Sequence, residues 1–214
     1  MGAEDDLAGG EDAASVSERT PRRLALFGGT FDPVHNGHVA AARAAAERFH
    51  LDRVLFVPAA RPPHKPGCHA PYADRVRMLE LALAGEPRFE VSRLEEGQPG
   101  VNARSYSVDT IEELRSQLAS GDELFFLIGA DAFAEIKSWR RWRDVAREVV
   151  FLVVSRPGHV YEIPPGTRVE RLDTVDVPAS SSDIRRKLAA GETVLDVPFC
   201  VREYIARRHL YTKI

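Results

Sequence analysis

The chain has 214 residues, 29 Lys and Arg against 32 Asp and Glu, a formal charge of −3 and an apolar fraction of 44%. This fits one globular domain with a short appendage. The near-neutral balance argues against broad non-specific nucleic-acid binding, while leaving room for a local basic groove. The two cysteines, Cys68 and Cys200, form no CxxC pair, which excludes a disulfide framework or a cysteine zinc site and points to a reducing cytoplasm. The longest apolar runs, such as Val149 to Val154, fall far short of the ~20 residues of a membrane helix, and the acidic start is unlike a basic secretory leader.

In chain order, residues 1–21 read as a disordered acidic tail, because their Gly, Ala, Ser and acids bury too little to offset ordering entropy. Residues 22–214 read as one domain. Leu24 to Phe27 is a short apolar run closed by Gly28-Gly29, a buried strand and a turn. A helix is expected over Gly37 to His50, and a second strand over Val54 to Val57, stopped by Pro58 and a proline-rich loop. Val76, Leu79 and Leu83 mark one face of another helix. Phe89 and Val91 suggest a third strand, and Val108, Ile111, Leu114 and Leu118 a further amphipathic helix. Leu124 to Ile128 and Val149 to Val154 are strongly apolar strands. Between them Ala130 to Glu148 reads as helical with an interruption near Ser138. After Pro178 come a short helix from about Ser182 and a last helix carrying Val201, Tyr204 and Ile205. Strands alternating with helices at this spacing predict an α/β, doubly wound, Rossmann-like parallel sheet.

In such a sheet ligands bind beyond the carboxyl ends of the strands. The loop after the first strand, Gly28-Gly29-Thr30-Phe31-Asp32-Pro33-Val34-His35-Asn36-Gly37-His38, is neither a dinucleotide GxGxxG nor a Walker loop. Paired glycines permit a sharp turn and close backbone approach to a phosphate. His35 and His38 would sit at the positive end of a helix, making an anion site without lysine. Plainer readings are a tight strand-to-helix turn and a capping histidine. Asp32, His35 and His38 also suit zinc in type and spacing, which would make a metal-dependent hydrolase; a third alternative is a non-catalytic nucleotide sensor.

The GTFD and HNGH segments resemble the signature of the HxGH nucleotidyltransferase superfamily. Ser180-Ser181-Ser182-Asp183-Ile184-Arg185 is similar to its second hallmark near the C-terminus, with Ala179 and Ser182 replacing the usual isoleucine and threonine. Pro62-Pro63-His64-Lys65, Ser105-Tyr106-Ser107, Gly129-Ala130-Asp131 with Trp139, and Ser155-Arg156-Pro157-Gly158 follow successive strands. Together they resemble the bacterial nicotinate-nucleotide adenylyltransferase family, over Leu24 to Tyr211. Ser107 stands where that family usually has threonine, and Arg140 where an aromatic is common.

The resemblance implies transfer of the adenylyl group of ATP to nicotinate mononucleotide, giving deamido-NAD and pyrophosphate, in the cytoplasm. His35, His38 and Arg185 are the implied catalytic residues. Gly28, Gly29, Thr30, Phe31, Gly129, Asp131, Ser181 and Ser182 complete the implied ATP site. His64, Lys65, Tyr106, Ser107, Trp139 and Arg140 form the implied nicotinate-nucleotide site. Mg²⁺ would arrive with ATP, held by phosphates and water, with no protein metal site. Neither nucleic acid nor membrane is an expected partner, and self-association is left open. Nicotinamide mononucleotide or phosphopantetheine as acceptor is the neighbouring alternative.

Overall fold

The structure, a computed structural model, describes residues 20–62, 68–96, 105–155, 160–173 and 179–212. Six strands form one sheet: β1 (Arg23–Gly29), β2 (Arg53–Pro58), β3 (Phe89–Val91), β4 (Glu123–Gly129), β5 (Val150–Val154) and β6 (Arg168–Leu172). Their order is β3-β2-β1-β4-β5-β6, with parallel pairing throughout. Among the described residues the α-helices α1 (Asn36–Arg48), α2 (Tyr72–Leu83), α3 (Ser107–Ser116), α4 (Ala130–Ala134) and α5 (Trp142–Glu148) lie between strands, and α6 (Ser181–Ala189) and α7 (Phe199–Arg207) follow β6.

Strand alternation sends successive side chains to opposite faces. Ala25 and Phe27 of β1, Val54 and Phe56 of β2, and Phe125 and Leu127 of β4 pack with α1, α2, α6 and α7. Leu24 and Leu26, Leu55 and Val57, and Phe126 and Ile128 pack with α3, α4 and α5. Both faces are therefore covered, which is why these strands read as unbroken apolar runs.

Two elements differ from the sequence reading. β6 was not anticipated: Arg168-Val169-Glu170-Arg171-Leu172 carries three charges, as edge strands commonly do, and only Leu172 is buried. The Ala130–Glu148 segment is broken more widely than expected. α4 ends at Ala134, a single 3₁₀ turn spans Ile136–Ser138, and α5 starts at Trp142. Arg141, in the left-handed region at φ 50°, turns the chain into α5.

The strand order reverses between β1 and β4, so the crevice lies where the loops leaving those two strands diverge. Within the described residues no helix is long and apolar enough to cross a membrane.

Candidate active site

The glycines after β1 act differently from the sequence expectation. Gly28 and Gly29 remain in the strand, paired with Val57 and Pro58. The turn itself is made by Phe31, at φ 47°. Gly29 supplies space: a Cβ there would stand 3.1 Å from the Phe31 ring, whereas one on Gly28 would make an ordinary contact at 3.4 Å with the Phe126 ring. Phe31 is buried, edge-on to Phe27 at 5.5 Å and to the His38 ring at 5.0 Å. Packing against both rings holds Phe31 in a backbone conformation disfavoured for a bulky residue.

Asp32 fastens this loop. Its buried carboxylate accepts the His69 amide at 2.7 Å, the Ala70 amide at 3.1 Å and the Tyr211 hydroxyl at 2.7 Å. Burial alone would raise its pKa. The hydrogen bonds and the Arg185 charge outweigh that and hold it below the usual carboxylate value. The same bond and burial push the Tyr211 phenol up. With three donors already on the Asp32 carboxylate, the Asp32–His35–His38 zinc reading loses its oxygen ligand. Among the described residues no three His, Cys, Asp or Glu side chains converge as a metal site.

Beyond the turn, His35 is the N-cap of α1 with extended backbone, and His38 lies in its first turn. The His35 amide donates to His38 Nδ1 at 3.2 Å. That bond makes Nδ1 the acceptor and assigns the neutral ring's proton to Nε2. The two imidazoles stack with centroids 3.7 Å apart. Burial lowers the His35 pKa to about 4, against an opposing pull from Asp196. His35 is thus a neutral ring at physiological pH, and its buried Nδ1 faces the His38 amide in a capping-box arrangement without closing a hydrogen bond among the described residues. Asn36 anchors the helix start, its amide donating to the Asp196 carbonyl at 2.8 Å and its side chain to Leu195.

α6 brings a second helix start to the same loop. Ser180 is its N-cap without a side-chain cap bond. Ser181 donates to the Pro33 carbonyl at 3.0 Å, while Arg185 donates to the Asp32 carbonyl at 2.7 Å and to Ser182 Oγ at 3.2 Å. Two helix N-termini and the two histidines therefore border one loop, a strong anion-binding combination.

On the other side of the β1 terminus is a cavity of about 280 Å³. Its walls include Gly28, Gly29 and Thr30 as well as Tyr106, Ser107, Trp139 and Arg140, so four of the six residues expected for the acceptor come together here. Trp139 stands edge-on against Phe126 at 5.7 Å. Tyr106 is the N-cap of α3 and has no side-chain cap bond. The Arg140 guanidinium lies 4.8 Å from the Tyr106 ring centre and 3.7 Å from Asp109. His64 and Lys65 lie outside the described residues, as do Arg156, Pro157 and Gly158. Asp131 is exposed in the first turn of α4, and Gly129, not Asp131, takes the N-cap position.

Three supporting residues escaped sequence reasoning. Arg75 is buried and donates to the Thr30 carbonyl at 2.7 Å. Glu95 is buried in the cavity wall. Tyr211 reaches Asp32 from 179 residues away. An arginine on a helix, an acid in a loop and a tyrosine near the terminus carry no local signal of such contacts.

The cytidylyltransferase-like family matches residues 26–187, which hold the loop after β1, the cavity and the start of α6. The chain belongs to this family. A Solibacter usitatus protein bearing the name "Probable nicotinate-nucleotide adenylyltransferase" is 65% identical over 190 residues, 88% of this chain and 99% of the relative. A Thermus thermophilus protein of the same name is 46% identical over equal shares. In fold, the chain is similar to Plasmodium falciparum nicotinic acid mononucleotide adenylyltransferase complexed with NaAD. The TM-score is 0.73 at 15% identity, over 89% of this chain and 97% of that one. Coverage of 88% of this chain and 99% of each relative places the chain within the nicotinate-nucleotide adenylyltransferase group of the family.

Proposed function

We propose that this chain transfers the adenylyl group of ATP to nicotinate mononucleotide, releasing pyrophosphate and forming deamido-NAD, a step of NAD biosynthesis. The observation that carries the reading is the adjacency of two subsites across Gly28–Thr30. One is an anion site of paired histidines and helix starts; the other is an aromatic-walled cavity at the start of α3.

An oxygen of the acceptor phosphate attacks the α-phosphorus of ATP, and the bond from that phosphorus to the bridging oxygen of pyrophosphate breaks. A phosphate monoester with a second pKa of about 6 is mostly dianionic at neutral pH, so no general base is needed. The protein's work is to align two anions and offset their repulsion. His38, protonated on Nε2, and neutral His35 donate to the α-phosphate and the departing pyrophosphate. The Gly29, Thr30 and Phe31 backbone, the start of α6 with Ser181 and Ser182, and Arg185 enclose the phosphates. Arg185 also braces the Asp32 carbonyl. Asp131 in the first turn of α4, just beyond β4, accepts from the ATP ribose. Mg²⁺ would arrive with ATP, held by its phosphates and water, and would supply further charge neutralisation there.

In the cavity, Trp139 packs on the cationic pyridinium ring, where cation–π attraction adds to apolar contact. The start of α3 at Tyr106 and Ser107 donates to the nicotinate carboxylate, with the Arg140 charge beside it. His64 and Lys65 bind the acceptor phosphate. Mass spectrometry of the product from ATP and nicotinate mononucleotide tests the reading directly. A new dinucleotide of deamido-NAD mass with stoichiometric pyrophosphate is expected; phosphate or AMP alone would overturn it.

A further inference from the structure

Among the cavity-wall residues without a role in the mechanism above, one is a buried acid. Glu95 is only 7% exposed, and both of its carboxylate oxygens accept hydrogen bonds: from the Ala60 amide at 3.2 Å and the Thr110 hydroxyl at 2.9 Å. Both donors are neutral. Among the described residues no cation pairs with Glu95, whereas its neighbour Glu96 is paired with Arg93. The other charged side chains of the wall, Glu135 and Arg140, are exposed, and Arg140 is already shared with Asp109. Glu95 is thus the buried charge of the cavity. A buried anion served only by neutral donors is costly and is best relieved by a cation arriving with the ligand.

We propose that Glu95 is the counter-ion of the acceptor's positively charged pyridinium ring and makes the cavity selective for a charged ring over a neutral one of the same shape. This rests on the reading that the acceptor is a pyridine mononucleotide. The ring's cationic part lies toward Glu95 and its face toward Trp139. Thr110 Oγ and the Ala60 amide hold the Glu95 carboxylate in place, tying α3 to the segment after β2.

The experiment compares nicotinate mononucleotide with its 1,4-dihydro form, which keeps the carboxylate and phosphate but has an uncharged ring. Wild-type kcat/KM is expected to favour the charged ring by at least ~10-fold, the scale of one charge pair in a partly wet site. Glu95→Gln keeps an acceptor for the Ala60 amide. It is expected to lower kcat/KM about tenfold for the charged ring and less than about twofold for the neutral one. Thr110→Val removes one brace while leaving the charge, and should keep the preference. Equal losses for both nucleotides in Glu95→Gln would make Glu95 a brace and overturn the proposal, as would loss of the preference in Thr110→Val. The wild-type comparison needs no variant to fold: absence of any preference there overturns the proposal by itself. Failure of the wild type to form a dinucleotide from either nucleotide, with turnover of a different acceptor, would overturn the pyridine-nucleotide reading and the counter-ion with it.

Discussion

The bond from the His35 amide to Nδ1 and ring contacts with Phe27, Phe31 and His35 help to fix His38, so its Nε2–H has a defined direction before any phosphate arrives. Such preorganised donors act mainly on charge that develops in the transition state. His38→Ala should therefore lower kcat by roughly 10²–10³-fold while KM moves much less; steady-state kinetics of the folded variant decides, and near wild-type turnover would remove His38 from the mechanism. His35 makes a second, independent prediction through its depressed pKa of about 4. A histidine that stays neutral when folded but takes up a proton when unfolded favours the unfolded state as pH falls. Its contribution is complete above the ordinary value of 6.5 and is lost between there and about 4. The full span corresponds to about 3 kcal/mol. Urea unfolding of wild type and His35→Asn at pH 7 and pH 4.5 should show the wild type losing more stability; parallel losses would mean that burial does not hold His35 neutral. The two histidines themselves were legible in the sequence because their spacing put them at a helix start. Glu95 and Arg75 were not, because their partners lie on other elements and only the fold brings them together.

At the scale of elements, the loop after β1 depends on distant parts of the chain. Its conformation is held by Arg75 from α2, Arg185 from α6 and Tyr211 beyond α7. The Tyr211 hydroxyl on a buried carboxylate is the kind of bond worth about 1.5–3 kcal/mol. Tyr211→Phe should reduce unfolding free energy by that order and lower kcat with it, since the loop bearing the histidines loses a tether. The Asp32 pKa is lowered on folding, so its stabilisation is present above the ordinary value of 3.8 and lost as pH falls through the folded value. The difference between wild type and Tyr211→Phe should accordingly shrink in acid. Equal stability at pH 7 would show that the tether contributes nothing. Sequence patterning anticipated β1, β2, β4 and β5 well because burial on both faces leaves continuous apolar runs. It missed β6, whose charges are those of an exposed edge. It also misassigned the turn after β1, where the glycines advertise flexibility but Phe31 takes the positive φ.

Over the whole molecule, strand alternation sorts two cores onto the two sheet faces, and the reversal of strand order between β1 and β4 leaves the crevice where the motifs gather. The anion site and the aromatic cavity lie on either side of the same strand end, and this division sets the selectivity expected of the protein. On the proposed reading a carboxylate would be satisfied by the amides at the start of α3, whereas a carboxamide of the same shape would place its NH₂ against donors. Leaving a buried polar group unpaired costs about 1–3 kcal/mol, and losing a charge-assisted bond adds to that. Arg140, stacked on Tyr106 at the cavity rim, is placed to add to the preference. If it carries the discrimination, Arg140→Ala will lose it; if the α3 amides carry it, as the account holds, most of the preference will survive. The most direct test of the central claim is pyrophosphate release from ATP with nicotinate mononucleotide, nicotinamide mononucleotide and phosphopantetheine as separate acceptors. The account predicts kcat/KM for the acid at least ~10²-fold above that for the amide, and no turnover with phosphopantetheine. Comparable values for acid and amide, or faster release with phosphopantetheine, would contradict it.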